Sequence, residues 1–137
     1  MRQPAGQLFL IAIFIGALAA CTSAPEPVVN PNLFPSGFKK EILDTLTQTL
    51  SDPTNVCSAY ISDPALTKIG NDQRYAVCVR FNPRDPNQHY MGSTDRIAYF
   101  YAGHLNQLVD ASKEQCGTAA YKPFPELEKI CLGKKCA

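Results

Sequence analysis

The run RYAVCVRFN (residues 74–82) decides the fold class, because its apolar residues recur at every second position. Tyr75, Val77, Val79 and Phe81 fall on one face, and Ala76, Cys78 and Arg80 on the other. A period of two, with β-branched and aromatic residues gathered on one side, is the pattern of a half-buried strand. The neighbouring segments repeat it. RIAYFYAGHLNQLVDA (96–111) reads as two strands folded about Ala102-Gly103, where glycine permits the positive φ of a tight turn. A weaker strand is expected over 56–61. Before all of these, Phe38, Ile42, Leu43, Leu46 and Leu50 recur near helical spacing, with Ser36 placed to cap the start and Asp52-Pro53 to close the segment. A short last helix is expected near 126–131, after Pro123 and Pro125. The fold class is therefore α+β: an N-terminal amphipathic helix of about 14 residues on an antiparallel sheet of about three or four strands, with a short C-terminal helix.

Length and charge narrow the function. The chain has 137 residues, and residues 36–137 suit a single small domain. No internal repeat or low-complexity block interrupts it. Of 13 basic residues, Arg2 belongs to the leading apolar segment, which leaves 12 against 12 acidic residues. A formally neutral chain without clustered Lys and Arg is a poor match to a phosphate backbone, so nucleic acid is not expected as a partner. Lys134 and Lys135 read as a solvated tail.

The first residues look like an export signal. Arg2 is followed by an apolar and small-residue stretch from Leu8 to Ala20, 13 residues long. A bilayer span needs about 20, so a cleavable signal peptide over residues 1–20 is the better reading. Leu18-Ala19-Ala20-Cys21 resembles the lipobox of bacterial lipoprotein precursors. That resemblance implies cleavage between Ala20 and Cys21 and a covalent lipid on Cys21 that holds the chain to a bilayer. No other cofactor is expected. Thr22 stands where an aspartate would favour retention in the inner membrane. By the same resemblance the chain belongs in the outer membrane, facing the periplasm. Residues 21–35 then form the lipidated cysteine and a tether. TSAPEPVVNPNLFP (22–35) has four prolines and one charge, Glu26. At roughly 3 Å per residue such a segment reaches up to about 40 Å, unless Val28, Val29, Leu33 and Phe34 dock on the domain and shorten it.

Catalytic signatures are missing, and no catalytic residue is assigned. His89 and His104 are the only histidines, and no HExxH, GxSxG or phosphate-binding glycine loop occurs. PRDPNQHYMGSTD (83–95) is the most polar segment of the domain. Asp85, Asn87 and His89 alternate there like the opening of a calcium loop, but the glycine and distal glutamate that coordination requires are not in place. A solvated hairpin loop is expected, and no metal. Glu126 and Glu128 flank Leu127 and would not share a helix face. Within Tyr99-Phe100-Tyr101, alternate sides must serve core and surface, which leaves Phe100 or Tyr101 as a candidate for an exposed patch. With Cys21 lipidated, five cysteines remain: Cys57, Cys78, Cys116, Cys131 and Cys136. An exported chain uses such cysteines for disulfides rather than zinc, although five cannot all pair within one chain.

YAVCVRFNPRD (75–85), GSTDRIAYFYAGHLNQLVDA (92–111) and EQCGTAAYKPFPELEKIC (114–131) together resemble a family of small proteobacterial outer-membrane lipoproteins of unknown function. The resemblance covers nearly the whole mature domain. It implies a disulfide between Cys78 and Cys116 and leaves Cys57, Cys131 and Cys136 without assigned pairing. The expected role is a non-enzymatic accessory or binding module acting on another envelope protein. The alternative is a periplasmic small-ligand binder or hydrolytic enzyme with a pocket near His89 and His104.

Overall fold

Residues 72–84 make more than one half-buried strand. The computed structural model describes residues 23–130. In chain order these form α1 (Phe38–Thr49), β1 (Asp52–Ile61), β2 (Ala65–Ile69), β3 (Asp72–Arg84), β4 (Thr94–Tyr101), β5 (His104–Asp110), α2 (Lys113–Cys116), β6 (Lys122–Pro123) and α3 (Pro125–Glu128). The architecture is α+β, with an antiparallel sheet of six strands and three short helices. The order is β5-β4-β3-β1-β6, with β2 also paired to β3.

β3 is the spine. One edge pairs with β4, from Ala76 opposite Tyr99 to Phe81 opposite Thr94. The other edge is shared: β2 takes its start, from Asp72 to Ala76, and β1 takes its remainder, up to Arg84 opposite Asp52. β1 and β2 thus run in line along one edge and break at residues 62–64. Pro64 has no N–H to give a ladder, and Ser62 fills the break. Its N–H donates to the Cys78 carbonyl at 2.9 Å, and its Oγ accepts from the Cys78 N–H at 2.9 Å.

The sheet carries three strands beyond the three that the periodicity marks firmly, and it exceeds the three or four expected. β2 alternates too weakly to be seen as a strand, because all but Thr67 of its residues are exposed. Its signal lies instead in Gly70-Asn71, a two-residue hairpin turn with Gly70 at φ 60°. β6 is only two residues long.

The leading helix also departs from the N-terminal amphipathic element expected. α1 is 12 residues long and follows described chain from residue 23. It buries only Ile42 and Leu46 completely, while Phe38, Leu43 and Leu50 stay half-buried. Its N-cap is Gly37 rather than Ser36, with no side-chain cap. α3 is a single turn that ends before the expected range 126–131 does.

Both faces of β3 are covered. On the first, Val77, Val79 and Phe81 pack with Ala98 and Phe100 of β4, Ile42 and Leu46 of α1, and Phe124 and Leu127 from the C-terminal segment. Burial of each large apolar side chain contributes roughly 1.5–3 kcal/mol, so this layer dominates. On the second face, expected to be largely exposed, Ala76, Cys78, Ile97 and Cys116 form a smaller buried cluster. The chain after β5 folds back to make it, and Cys78 and Cys116 are joined, with S–S 2.00 Å and Cα–Cα 5.8 Å.

The Pro-rich segment expected to be a tether is partly docked. Residues 23–30 are exposed, but the Pro31 carbonyl accepts from the Ala102 N–H at 3.0 Å. Phe34 meets Tyr75 edge-on at 5.3 Å between ring centroids, and Pro35 is fully buried. Ala102 and Gly103 turn the β4–β5 hairpin with φ 51° and 83°. A Cβ at Gly103 would lie 3.2 Å from Leu33 Cδ2, so glycine serves the turn and the docking at once. Of the four residues expected to dock, Leu33 and Phe34 touch the domain, whereas Val28 is fully exposed.

The disulfide closes a loop with a sequence separation of 38. Replacing both Cys78 and Cys116 with alanine should lower stability by about 2–4 kcal/mol and the melting temperature by roughly 10–20 °C, read by thermal denaturation of the oxidised protein. A loss under about 1 kcal/mol would show that the second face is held by packing alone.

Candidate functional site

The residues singled out from the sequence scatter over the molecule. Cys78 of β3 and Cys116, the last residue of α2, are bonded and buried. Cys57 is a half-buried free thiol in β1. Ala20, Cys21, Cys131 and Cys136 lie outside the described residues. Phe100 is buried, while Tyr101 is exposed with the Arg74 guanidinium 5.3 Å from its ring centroid.

The two histidines are not brought together. His104 begins β5 beside the hairpin turn, with its Nδ1 3.2 Å from Glu41 Oε1. The other oxygen of Glu41 accepts from the Leu105 N–H at 2.5 Å, so this carboxylate closes the start of the sheet's outer edge. His89 sits in the β3–β4 connection, at the opposite end of β4. Eight residues of strand separate the ends, which is roughly 25 Å at strand rise. His89 Nδ1 is 3.8 Å from Asp85 Oδ2, and Asp85 Oδ1 accepts from the His89 N–H at 2.9 Å. The calcium-like alternation is therefore a turn in which Asp85 bonds its own loop. Among the described residues no group of three His, Cys, Asp or Glu is arranged to hold a metal ion.

The β3–β4 connection is an ordered extension of the hairpin. The Gln88 N–H donates to the Asp85 carbonyl, the Asp85 N–H to that of His89 and the Met91 N–H to that of Pro83. Arg84 bridges to Tyr90 and lays its guanidinium 5.1 Å from the Tyr90 ring centroid. Two open depressions flank this end. One, of about 530 Å³, is lined by Asp52, Thr54, Asn55 and Asp85 among others. Asp52 titrates below the usual carboxylate range because Thr54 and then Asn55 hydrogen-bond it, with a smaller contribution from Arg84. The other, of about 490 Å³, holds Arg84, Arg96 and Asp110 with Leu50 and Met91.

A third polar group lies on the disulfide face. Arg80 Nε and Nη2 donate to the two oxygens of Asp95 at 2.7 and 2.9 Å, and the Tyr121 hydroxyl donates to Asp95 Oδ1 at 3.1 Å. The Arg80 guanidinium stacks 4.5 Å from the Tyr121 ring centroid. The paired donors from Arg80 hold Asp95 below the usual carboxylate range. Burial, then the Asp95 charge, push the Tyr121 phenol up to about 12. This arrangement fits a structural clamp rather than an acid–base pair, since both charges are mutually satisfied. Sequence patterns miss it: Arg80 and Asp95 face each other only once the β3–β4 register is set, and Tyr121 arrives from a distant segment.

Comparison with protein-family models, curated proteins and solved structures finds no match to this chain.

The raised tyrosine fixes a sign. In the native state Tyr121 stays neutral up to about 12, whereas an unfolded tyrosine ionises near about 10, so the native state holds the proton more tightly. The contribution of Tyr121 to stability should be constant below about pH 10 and decline between about 10 and 12. Tyr121→Phe should flatten that decline, as followed by denaturant unfolding. Absorbance near 295 nm should show one tyrosine titrating late in the wild type. A full complement of tyrosines ionising together near pH 10 would contradict the clamp. At the acid end the sign reverses: the contribution of Asp95 is present above the usual carboxylate range and is lost as pH falls through its lowered value.

Proposed function

We propose that this chain is a lipid-tethered protein of the cell envelope, working as a non-enzymatic accessory or binding module. Residues 1–20 are its signal peptide, Cys21 carries the lipid, and the outer membrane, facing the periplasm, is its site. The disulfide between Cys78 and Cys116 is in keeping with an oxidising compartment.

The observation that carries this reading is where the tether ends. Residues 31–35 dock at the β4–β5 turn, so of the tether proposed over 22–35 only the part before Pro31 is left to span the distance to the bilayer. Nine residues reach about 30 Å at most, less than the full Pro-rich segment would. Because β2–β3 and β4–β5 turn at the same end of the sheet, that end faces the anchor. The β3–β4 connection faces away, with Tyr90 and Met91 exposed at 49% and 70%. In this geometry the outward end meets a partner and the hairpin turns do not.

Two measurements test the reading. Cys21→Ser should abolish metabolic lipid labelling and membrane attachment, and unchanged mass with persistent attachment would overturn the anchor. Photo-crosslinkers in the membrane-bound full chain should give a discrete product from position 91 and little from position 71 in the β2–β3 turn. The opposite preference would overturn the orientation.

A further inference from the structure

We infer that the depression between Arg84 and Arg96 binds the carboxylate of a peptide C-terminus bearing an apolar side chain. This deepens the binding-module reading and does not depend on the lipid anchor.

The arginines differ in how far they are paired. Arg74 and Arg80 are paired with Asp72 and Asp95 at 3.1 and 2.7 Å. Arg96 is 3.4 Å from Asp110, whose side chain is 87% exposed, and the contact lacks hydrogen-bond geometry. Arg84 has no ion pair among the described residues, and its charge is the smallest of the effects on Asp52. The Nε atoms of Arg84 and Arg96 are both buried and without a hydrogen-bond partner. Buried Nε atoms are out of a ligand's reach, so what the two arginines offer to the depression they both line is the Nη end of each guanidinium.

What would satisfy them follows from shape and charge. A guanidinium presents a planar fork that matches a carboxylate through two parallel bonds. Two arginines against Asp110 leave the depression with one positive charge in excess, which a monoanion neutralises. A phosphate dianion would overshoot and meet Asp110. Leu50 and Met91 give the same depression an apolar wall, and Thr94, which also lines it, offers a hydroxyl to an amide. Its volume of about 490 Å³ falls within the range of ligand sites and suits about two residues of peptide. Its position on the outward end puts it beside Met91, where the partner contact is expected.

The test uses the full chain in detergent micelles, with arginine side chains labelled with nitrogen-15. Acetyl-alanyl-leucine should shift the Nε–Hε signals of Arg84 and Arg96 saturably, while its C-terminal amide and inorganic phosphate should not. Arg84→Gln should weaken binding about tenfold, the loss of one charge-assisted contact, and Arg84→Lys should weaken it less. Met91→Glu, at an exposed position, should abolish binding with distant signals unmoved, which separates loss of the site from loss of the fold. No shift at about 10 mM peptide, or equal shifts with the amide or with phosphate, would overturn the assignment. A failed titration alongside a product crosslinked from position 91 would remove this ligand and leave the binding-module reading standing.

Discussion

A strand buried on both faces has to be covered on both, and β3 imposes that requirement on everything around it. Thirteen residues supply the ladder for β1, β2 and β4, so no neighbour can be placed without it. The first face is covered in the ordinary way, by α1 and by apolar residues of the C-terminal segment. The second has no long helix. A four-residue helix covers it, too short to be stable by itself, and a covalent bond to Cys78 replaces the apolar area that a longer helix would bury. The disulfide is thus the second half of the core.

How much of this is legible in the sequence depends on the range of each signal. The β4–β5 hairpin is legible because alternation and Ala102-Gly103 are local. β2 is hidden because its residues face solvent, and only the Gly70-Asn71 turn betrays it. The alternation of β3 suggests one wet face, since Ala76 and Cys78 carry little hydrophobic weight; their burial comes from residues some 40 positions later. α1 looks wider in its apolar stripe than it is, because Phe38, Leu43 and Leu50 sit at the margin of the contact. The pairing of Cys78 with Cys116 is not legible in the residues themselves, as cysteine spacing alone does not choose among partners. Of the polar groups, sequence motifs draw the eye to the two histidines and pass over the arginines. The pairing of Arg80 with Asp95 and the isolation of Arg84 are properties of register, which no local pattern contains.

The charges divide along the sheet according to how well they are matched. Near the hairpin turns, Glu41 serves His104 and the Leu105 N–H, and Arg74 meets Asp72. At the disulfide face Arg80, Asp95 and Tyr121 satisfy one another. At the far end the buried Nε atoms of Arg84 and Arg96 have no hydrogen-bond partner among the described residues, and stacking on Tyr90 and Phe81 holds both arginines in place. Fixed orientation with unmet bonding is the condition under which a side chain recognises something other than its own chain.

The docked segment before α1 also has a mechanical meaning. A pull along residues 23–30 does not reach α1 first, because the Pro31 carbonyl is bonded to Ala102 and Pro35 is buried. The load enters at the tip of the β4–β5 hairpin. A single hydrogen bond and the Leu33 contact at Gly103 would give way in sequence, like a strip peeled from a surface, before force arrived at the helix. The few residues of this seam act as a weak link in series with the domain, so tension on residues 23–30 would free several more residues while the sheet stayed whole.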